Sequence, residues 1–368
     1  MGRMSKSRVT LADVARRAGV SQTAASFVLS GRREEMRISA DVEKRVLEAA
    51  RATGYRPNFV SRSLRTGTTH TIGFVSDTVA TTPFAGHLIW GALDAARERG
   101  HLLFIAETEG DAELEQQMIE AMHDRQVDGI VLASMYTREV KLPKHLLDRP
   151  AVLLNALPSG KSTIPSVVPD EAGAGRPAAG VLLDAGYTDG IYLVGAGPGK
   201  DQAPKGSIAA VERLQGIIEA LHARGVDAAG AVGCREWQPD NGYAATRQIL
   251  EQGARPTALI CFNDRLALGA YQALSEAGLE VPADVSVVSF DDDLIASWIK
   301  PRLTSVALPH YELGRAAIEL LLEMMRQPRD DRSGVRRIPM PLRERDSVRQ
   351  LDKLGAVRHA AMPASSGA

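Results

Sequence analysis

Two cysteines in 368 residues, Cys234 and Cys261, are too few for a disulfide framework or a zinc site. Both read as small buried apolar side chains. No apolar run approaches the eighteen or so residues of a membrane span, so no membrane partner is expected. Arg3, Lys6 and Arg8 stand near the start, but no apolar segment follows them. A signal peptide is therefore not expected, and the cytoplasm is the natural compartment. Also missing is any serine, histidine and acid arrangement or cluster of metal-ligating side chains. The chain offers no catalytic residue, no metal site and no cofactor site, and an enzyme is not expected. Net charge is nearly absent too, at −1.

That small total hides a division. Residues 1–70 hold 14 Lys and Arg against 6 Asp and Glu, a surplus of eight positive charges. The remainder carries a surplus of nine negative charges. A basic head sits on an acidic body, and the length calls for more than one domain. A basic head neutralises phosphates and releases counterions, which gives affinity for nucleic acid whatever its sequence.

The head carries the sharpest pattern. Thr10 caps a first helix, and Asp13 sits where a capping box needs an acid. Leu11, Val14, Ala15 and Ala18 form its apolar face, and Gly19 ends it. Ser21 caps a second helix that runs Gln22, Thr23, Ala24, Ala25, Ser26, Phe27, Val28, Leu29. Two short helices about a glycine turn, the second opening on small polar residues, describe a helix-turn-helix. A third helix starts after Ser39, buries Val42, Val46, Leu47 and Ala50, and closes at Gly54. Pro57 then suits the first turn of a short helix that ends near Leu64 or Arg65. So short a helix is marginal in water and forms only when DNA or a partner chain holds it.

The strings TLADVARRAGVS (residues 10–21), ISADVEKRVLEAARATGYRPN (38–58) and VSRSL (60–64) resemble the DNA-binding head of the LacI/GalR family of bacterial transcription regulators. The resemblance implies that Gln22, Thr23 and Phe27 take the base-reading positions of the recognition helix. Ser21 and Ser26 would contact phosphates or neighbouring bases, and Thr10 joins the DNA-contacting set. Asn58, Ser61 and Arg65 of the hinge join it as well. Leu64 takes the place of the leucine that wedges into the minor groove and kinks the duplex; the other reading is a packing residue between two hinge helices. The family usually has a polar or basic residue where Phe27 stands. Phe27 either packs on a thymine methyl or belongs to the core of the head.

From residue 71 onward strands and helices alternate. Strands are expected at residues 71–75, 102–105, 129–132, 151–154, 191–194, 258–262 and 285–290. Helices are expected at 88–98, 114–125, 178–183, 211–223, 243–250 and 266–277. This rhythm predicts parallel α/β sheets covered on both faces, in two subdomains with a cleft between them. Ligands in open α/β sheets sit beyond the C-terminal strand ends. Polar residues at such ends are Asp77, Asn263 with Asp264, and Asp291 with Asp292 and Asp293. Asp264 is as readily the N-cap of the next helix as a ligand contact. The glycine-rich run Val194-Gly195-Ala196-Gly197-Pro198-Gly199-Lys200 completes neither dinucleotide nor P-loop spacing and reads as an ordinary loop over the cleft.

The body resembles the effector domain of the same family, whose fold is shared with periplasmic sugar-binding proteins. The matching strings are VDGIVLAS (127–134), the spaced Asp170, Gly175 and Ala178, RLQGI (213–217) and PTALICFNDRLALGA (256–270). Further on stand VPADVSVVSFDDD (281–293), LTSVALPHYELGRAA (303–317) and PLRERDS (341–347). The resemblance implies an effector site made by Phe84, Arg213, Trp237, Asn263 and Asp291. Arg213 would bond a ligand hydroxyl or carboxylate, and Asn263 and Asp291 would bond hydroxyls. Trp237 would stack on a sugar ring or else anchor a subdomain edge. Phe84 would line the pocket or else pack in the core.

The expected fold class is therefore α/β. A three-helix helix-turn-helix head (residues 8–56) and a hinge helix with linker (57–70) precede a periplasmic-binding-protein-like parallel α/β body of two subdomains (71–348). A tail (349–368) is expected to be disordered and too poor in leucine for a coiled coil. The expected function is a homodimeric, ligand-responsive regulator, most simply a repressor of sugar uptake or metabolism genes, on a pseudo-palindromic double-stranded DNA operator. Its expected effector is a sugar. The alternatives are a transport-type sugar-binding protein, an α/β enzyme with a DNA-binding head, and an activator or corepressor-dependent regulator answering to a non-sugar ligand.

Overall fold

The computed structural model describes residues 9–55, 67–82, 85–199, 204–326 and 333–351. The chain divides into two compact units between Thr69 and His70.

In the first unit three helices enclose a small core: α1 (Leu11–Ala18), α2 (Gln22–Leu29) and α3 (Ala40–Thr53). Val14, Ala15, Ala18, Ala25, Val28, Val46, Ala49 and Ala50 are buried together. Each helix begins and ends on local chemistry. Thr10 and Asp13 form the reciprocal capping box of α1, and Gly19 takes the left-handed conformation that closes it. Ser21 and Ser39 accept from the backbone N–H groups of Ala24 and Val42, capping α2 and α3. Leu47, expected in the core, is exposed instead.

The second unit holds two six-stranded sheets. The first is built from β1 (Thr71–Ser76), β2 (Leu102–Glu107), β3 (Gly129–Val140), β4 (Ala151–Pro158) and β5 (Ser166–Pro169). Helices α4 (Gly86–Glu98) and α5 (Ala112–Asp124) connect its strands. The second sheet takes β6 (Ile191–Gly195), β7 (Gly230–Gly233), β8 (Ala258–Cys261), β9 (Ser286–Asp291) and β10 (Thr304–Ala307). Its helices are α6 (Glu171–Asp184), α7 (Ile208–His222), α8 (Pro239–Glu251), α9 (Asp264–Glu276) and the short α10 (Leu294–Trp298). The chain then returns to the first half. Helix α11 (His310–Arg326) packs on α4, and β11 (Val335–Ile338) joins the first sheet beside β5. Finally β12 (Leu342–Arg343) pairs antiparallel with β10 in the second sheet. The sheet orders are β11-β5-β4-β3-β1-β2 and β12-β10-β9-β8-β6-β7.

The chain therefore crosses between the halves three times, near Asp170, at Leu308–His310 and near Met340. The two halves are not two consecutive stretches of sequence. Helix α6 also starts earlier than the expected 178. Asp170 caps it by accepting from the N–H of Gly173, and Pro177 lies inside the helix rather than before it. Arg349 and Leu351, assigned above to the tail, bond to the body through Ser286 Oγ and the Ala185 carbonyl. Residues 352–368, the expected hinge helix and the residues Asn58, Ser61, Leu64, Arg65 and Phe84 lie outside the described residues.

Candidate functional site

The head presents the start of α2 outward. Gln22 and Thr23 are exposed, and Ser26 is half-buried. The Ser21 hydroxyl oxygen is used as a cap, at 3.1 Å from Ala24 N, but its proton remains available to a phosphate. The Thr10 hydroxyl donates to Asp13 at 2.7 Å, so its role in the structure is to cap α1. Phe27 is half-buried and stands outside the core cluster of the head. Its ring carries the Arg32 guanidinium at 5.1 Å, and Arg32 is itself paired with Glu35. The aromatic side chain thus supports a cation near the outer face of α2.

The body holds a cavity of about 290 Å³ between its two sheets. Strand β3 sets one wall. Ala133 pairs with Leu154 and Arg138 with Ala156, so residues 134–137 bulge opposite Asn155 alone. A bulge bends a strand and re-aims its side chains, and here Met135, Tyr136 and Thr137 come to line the cavity. Asn155 is held at φ 52, in the left-handed region. Thr137 is 1% exposed and Asn155 2%, yet Thr137 Oγ1 and Asn155 Oδ1 have no hydrogen-bond partner among the described residues. The same is true of His310 Nε2, where the chain crosses back to the first half. Burial pushes the His310 imidazole below its ordinary range and keeps it neutral.

The opposite wall is charged. Arg213 on α7 lines the cavity as expected, but its fork is occupied. Nε and Nη2 donate to Glu171 Oε2 and Oε1 at 2.7 and 2.9 Å. Nη1 donates to the Phe262 carbonyl and reaches Asp291 Oδ1 at 3.5 Å. The guanidinium also stacks over Phe290 at 4.4 Å and over Trp237 at 5.7 Å. Burial pushes the Glu171 carboxyl up, and the Arg213 charge opposes that shift. Trp237 lines the cavity with its Nε1–H tied to the Gly195 carbonyl at 3.1 Å, which fixes the ring plane. Asn263 caps α9 through Leu266 N at 2.8 Å and donates to the Trp237 carbonyl at 3.2 Å. One N–H of its amide is left for a ligand.

Asp291 ends β9 at φ 100, followed by Asp292 at φ 54. Such angles cost a non-glycine residue of order 1–3 kcal/mol and persist only when the surroundings hold them. The holding group is Asp264. It is neither the helix N-cap, which is Asn263, nor a lining residue. Its carboxyl is buried and accepts from Asp293 N at 2.7 Å, while its other oxygen meets Ser289 and Ser305. Ser305 Oγ in turn accepts from Asp292 N at 3.0 Å. Burial pushes Asp264 up to about 8.

Of the expected effector residues, the structure brings Arg213, Trp237, Asn263 and Asp291 to one cavity. It adds Glu171, Thr137, Asn155 and His310, which the sequence reading passed over. Asn155 had a signal, a polar residue closing the apolar run 151–154. Thr137 had none, because only the bulge points it inward. Asp77 does not line the cavity; it is buried and paired with Arg138 at 3.1 Å. Among the described residues no group of three or more His, Cys, Asp or Glu could hold a metal ion. Nor is any described helix long and apolar enough to cross a membrane.

Comparison with known proteins places both units. Residues 10–58 match the family profile described as bacterial regulatory proteins, lacI family, and residues 179–348 match a periplasmic binding protein-like domain. The ribose operon repressor of Escherichia coli (strain K12) is 32% identical over 325 residues, covering 87% of this chain and 94% of that protein. The HTH-type transcriptional repressor PurR of Vibrio atlanticus is 32% identical over 351 residues, covering 93% of this chain and 99% of that protein. Among solved structures, the lac repressor dimer bound to operator and the anti-inducer ONPF superposes with a TM-score of 0.74 at 25% identity. That match covers 93% of this chain and 99% of the other.

Proposed function

This chain belongs to the lacI family of bacterial regulatory proteins, and from that premise we propose that it is a sequence-specific transcription repressor whose grip on its operator is set by a small-molecule effector. The head reads double-stranded DNA, with Gln22 and Thr23 facing base edges and Ser21 and Ser26 facing phosphates or neighbouring bases. A homodimer sets two recognition helices in successive major grooves of a pseudo-palindrome. Asn58, Ser61, Leu64 and Arg65 complete the contact from the hinge, with Leu64 as the wedge. The protein works at the nucleoid, in the cytoplasm.

The cavity of the body takes the effector, and a sugar is the ligand we favour. Its indole face, its carboxylate and its unpartnered amide and hydroxyl groups suit a ring with one apolar face and a rim of hydroxyls. The family relatives include a ribose operon repressor and PurR, so the ligand class varies among them. The observation that carries the reading is the pairing, in one chain, of a capped helix-turn-helix with exposed base-reading positions and a cavity lined by buried, unpartnered polar atoms. A transport-type binding protein has no use for such a head.

The test is binding of the purified protein to its own upstream intergenic DNA at two salt concentrations, with and without a panel of sugars. Tight, salt-sensitive binding that one sugar alters is the expected result. No specific site in that DNA, nor among genome-wide selected fragments, would sink the regulator reading.

A further inference from the structure

We infer that the cavity selects an uncharged, hydroxyl-rich ligand of about one ring and discriminates against its anionic counterparts, with Glu171 setting the charge rule and Thr137, Asn155 and His310 reading hydroxyls. The inference rests on the effector reading above and deepens it.

Charge comes first. An arginine in a ligand cavity ordinarily suggests a carboxylate or phosphate clamp. Here the fork of Arg213 is filled by Glu171, and both side chains are buried. Asp291 adds a second carboxylate against the same guanidinium. The guanidinium therefore faces two carboxylates, the buried Glu171 and the half-buried Asp291, while Arg265, also half-buried, lines the cavity elsewhere. An incoming anion would meet Glu171 and Asp291 in a poorly solvated site, where like charges repel strongly. At the rim Arg235 and Glu236 are adjacent and both exposed, so they offset each other.

Hydrogen bonding points the same way. Asn155 Oδ1 accepts only and has no partner among the described residues. The outward lone pairs of Asp291 also need donors. A carboxylate or phosphate brings none, whereas a hydroxyl donates and accepts. Thr137 Oγ1 and the neutral His310 Nε2 accept either role. A buried polar atom left unpaired is costly, so the ligand that satisfies all three is favoured over one that satisfies none. The cavity of about 290 Å³ lies at the small end of ligand pockets, roughly 300–1,000 Å³.

The experiment is calorimetric titration of the full-length protein with neutral monosaccharides, their phosphate and uronate counterparts, and an amino sugar. One neutral sugar should bind, with its anionic counterpart at least about tenfold weaker. Thr137→Val and Asn155→Ala should each weaken that sugar by about tenfold while the ligand-free melting temperature stays within a few degrees. Glu171→Gln, where it folds, should narrow the neutral-to-anionic ratio, because Arg213 is then free to clamp. An anionic or amino sugar binding as tightly as the neutral one would overturn the inference, as would wild-type affinity in both Thr137→Val and Asn155→Ala. A neutral sugar that binds without changing operator affinity supports this inference and overturns the regulatory reading. Failure of every sugar to bind overturns this inference and the sugar assignment, while the regulator reading stands or falls on the operator titration.

Discussion

Asp264 is a buried carboxyl whose job is geometric: it holds the strained turn that presents Asp291. Its environment favours the protonated form, since desolvation raises it from the ordinary carboxylate range to about 8. The folded protein therefore binds a proton that the unfolded chain releases across that window. The contribution of Asp264 to stability therefore falls as pH rises from about 4 to about 8 and levels off above. Asp264→Asn mimics the protonated group, with the amide nitrogen toward Ser289 and Ser305 and the oxygen toward Asp293 N. We expect the difference in unfolding free energy between variant and wild type to grow with pH, by on the order of a few kcal/mol between pH 4 and 8. Denaturant melts at several pH values measure it, and parallel profiles would refute it. The sequence marks Asp264 only as a polar residue after a strand. Its burial beneath β9 and β10 depends on Ser289 and Ser305, which are distant in sequence. Asn263 and Asp291 were legible as cavity residues because strand ends and family strings both point to them; Trp237 stands in neither and followed only from the resemblance. Glu171 was not, because beside Asp170 it looks like an ordinary acid in a first helical turn.

Elements were legible where their signals are local. The capping box of Thr10 and Asp13, the caps Ser21 and Ser39 and the closing glycines Gly19 and Gly54 stand in the structure as their spacing predicts. Removing one should cost the usual amount. Thr10→Ala removes the side-chain acceptor of the Asp13 N–H and should destabilise the head by about 1 kcal/mol, read from the loss of helical signal on heating an isolated head fragment. An unchanged melt would mean that water replaces the cap at no cost. The strands missed are four residues or fewer, such as β7 and β10, and the crossovers carry no local mark at all. Helix contacts have a mark that was overlooked. Gly175 on α6 and Gly216 on α7 let the two backbones touch. A Cβ at Gly216 would lie 2.0 Å from the Ala172 carbonyl oxygen, whereas one at Gly180 would meet nothing within 4 Å. Gly216→Ala should therefore cost about 1–3 kcal/mol and move Arg213, one turn away, so that effector affinity falls as well. Gly180→Ala, on α6, should be neutral or stabilising by up to about 1 kcal/mol. Equal melting temperatures for the two variants would show that α6 and α7 separate freely.

At the scale of the whole molecule the chain passes from one half of the body to the other three times. One of these crossings, Leu308 to His310, contributes directly to the cavity wall. A ligand that satisfies Thr137 and Asn155 on one side and Asp291 and Asn263 on the other favours whichever arrangement of the halves lets it touch both. Such a ligand shifts operator affinity only by the ratio of its affinities for the operator-competent and operator-incompetent states. The coupling is reciprocal, so operator DNA must change effector affinity by the same factor. Single substitutions should separate the two ends of this linkage. Gln22→Ala should weaken operator binding and leave effector affinity for the DNA-free protein unchanged. Asp291→Ala should leave operator affinity near wild type and abolish the response to effector. The measurements are operator titrations with and without ligand and effector titrations with and without operator, at one salt concentration because phosphate contacts make affinity salt-dependent. Unequal coupling factors in the wild type would mean that the two ligands do not act on one shared equilibrium. Loss of both activities in both variants would mean that these residues maintain the fold and do not meet the ligands.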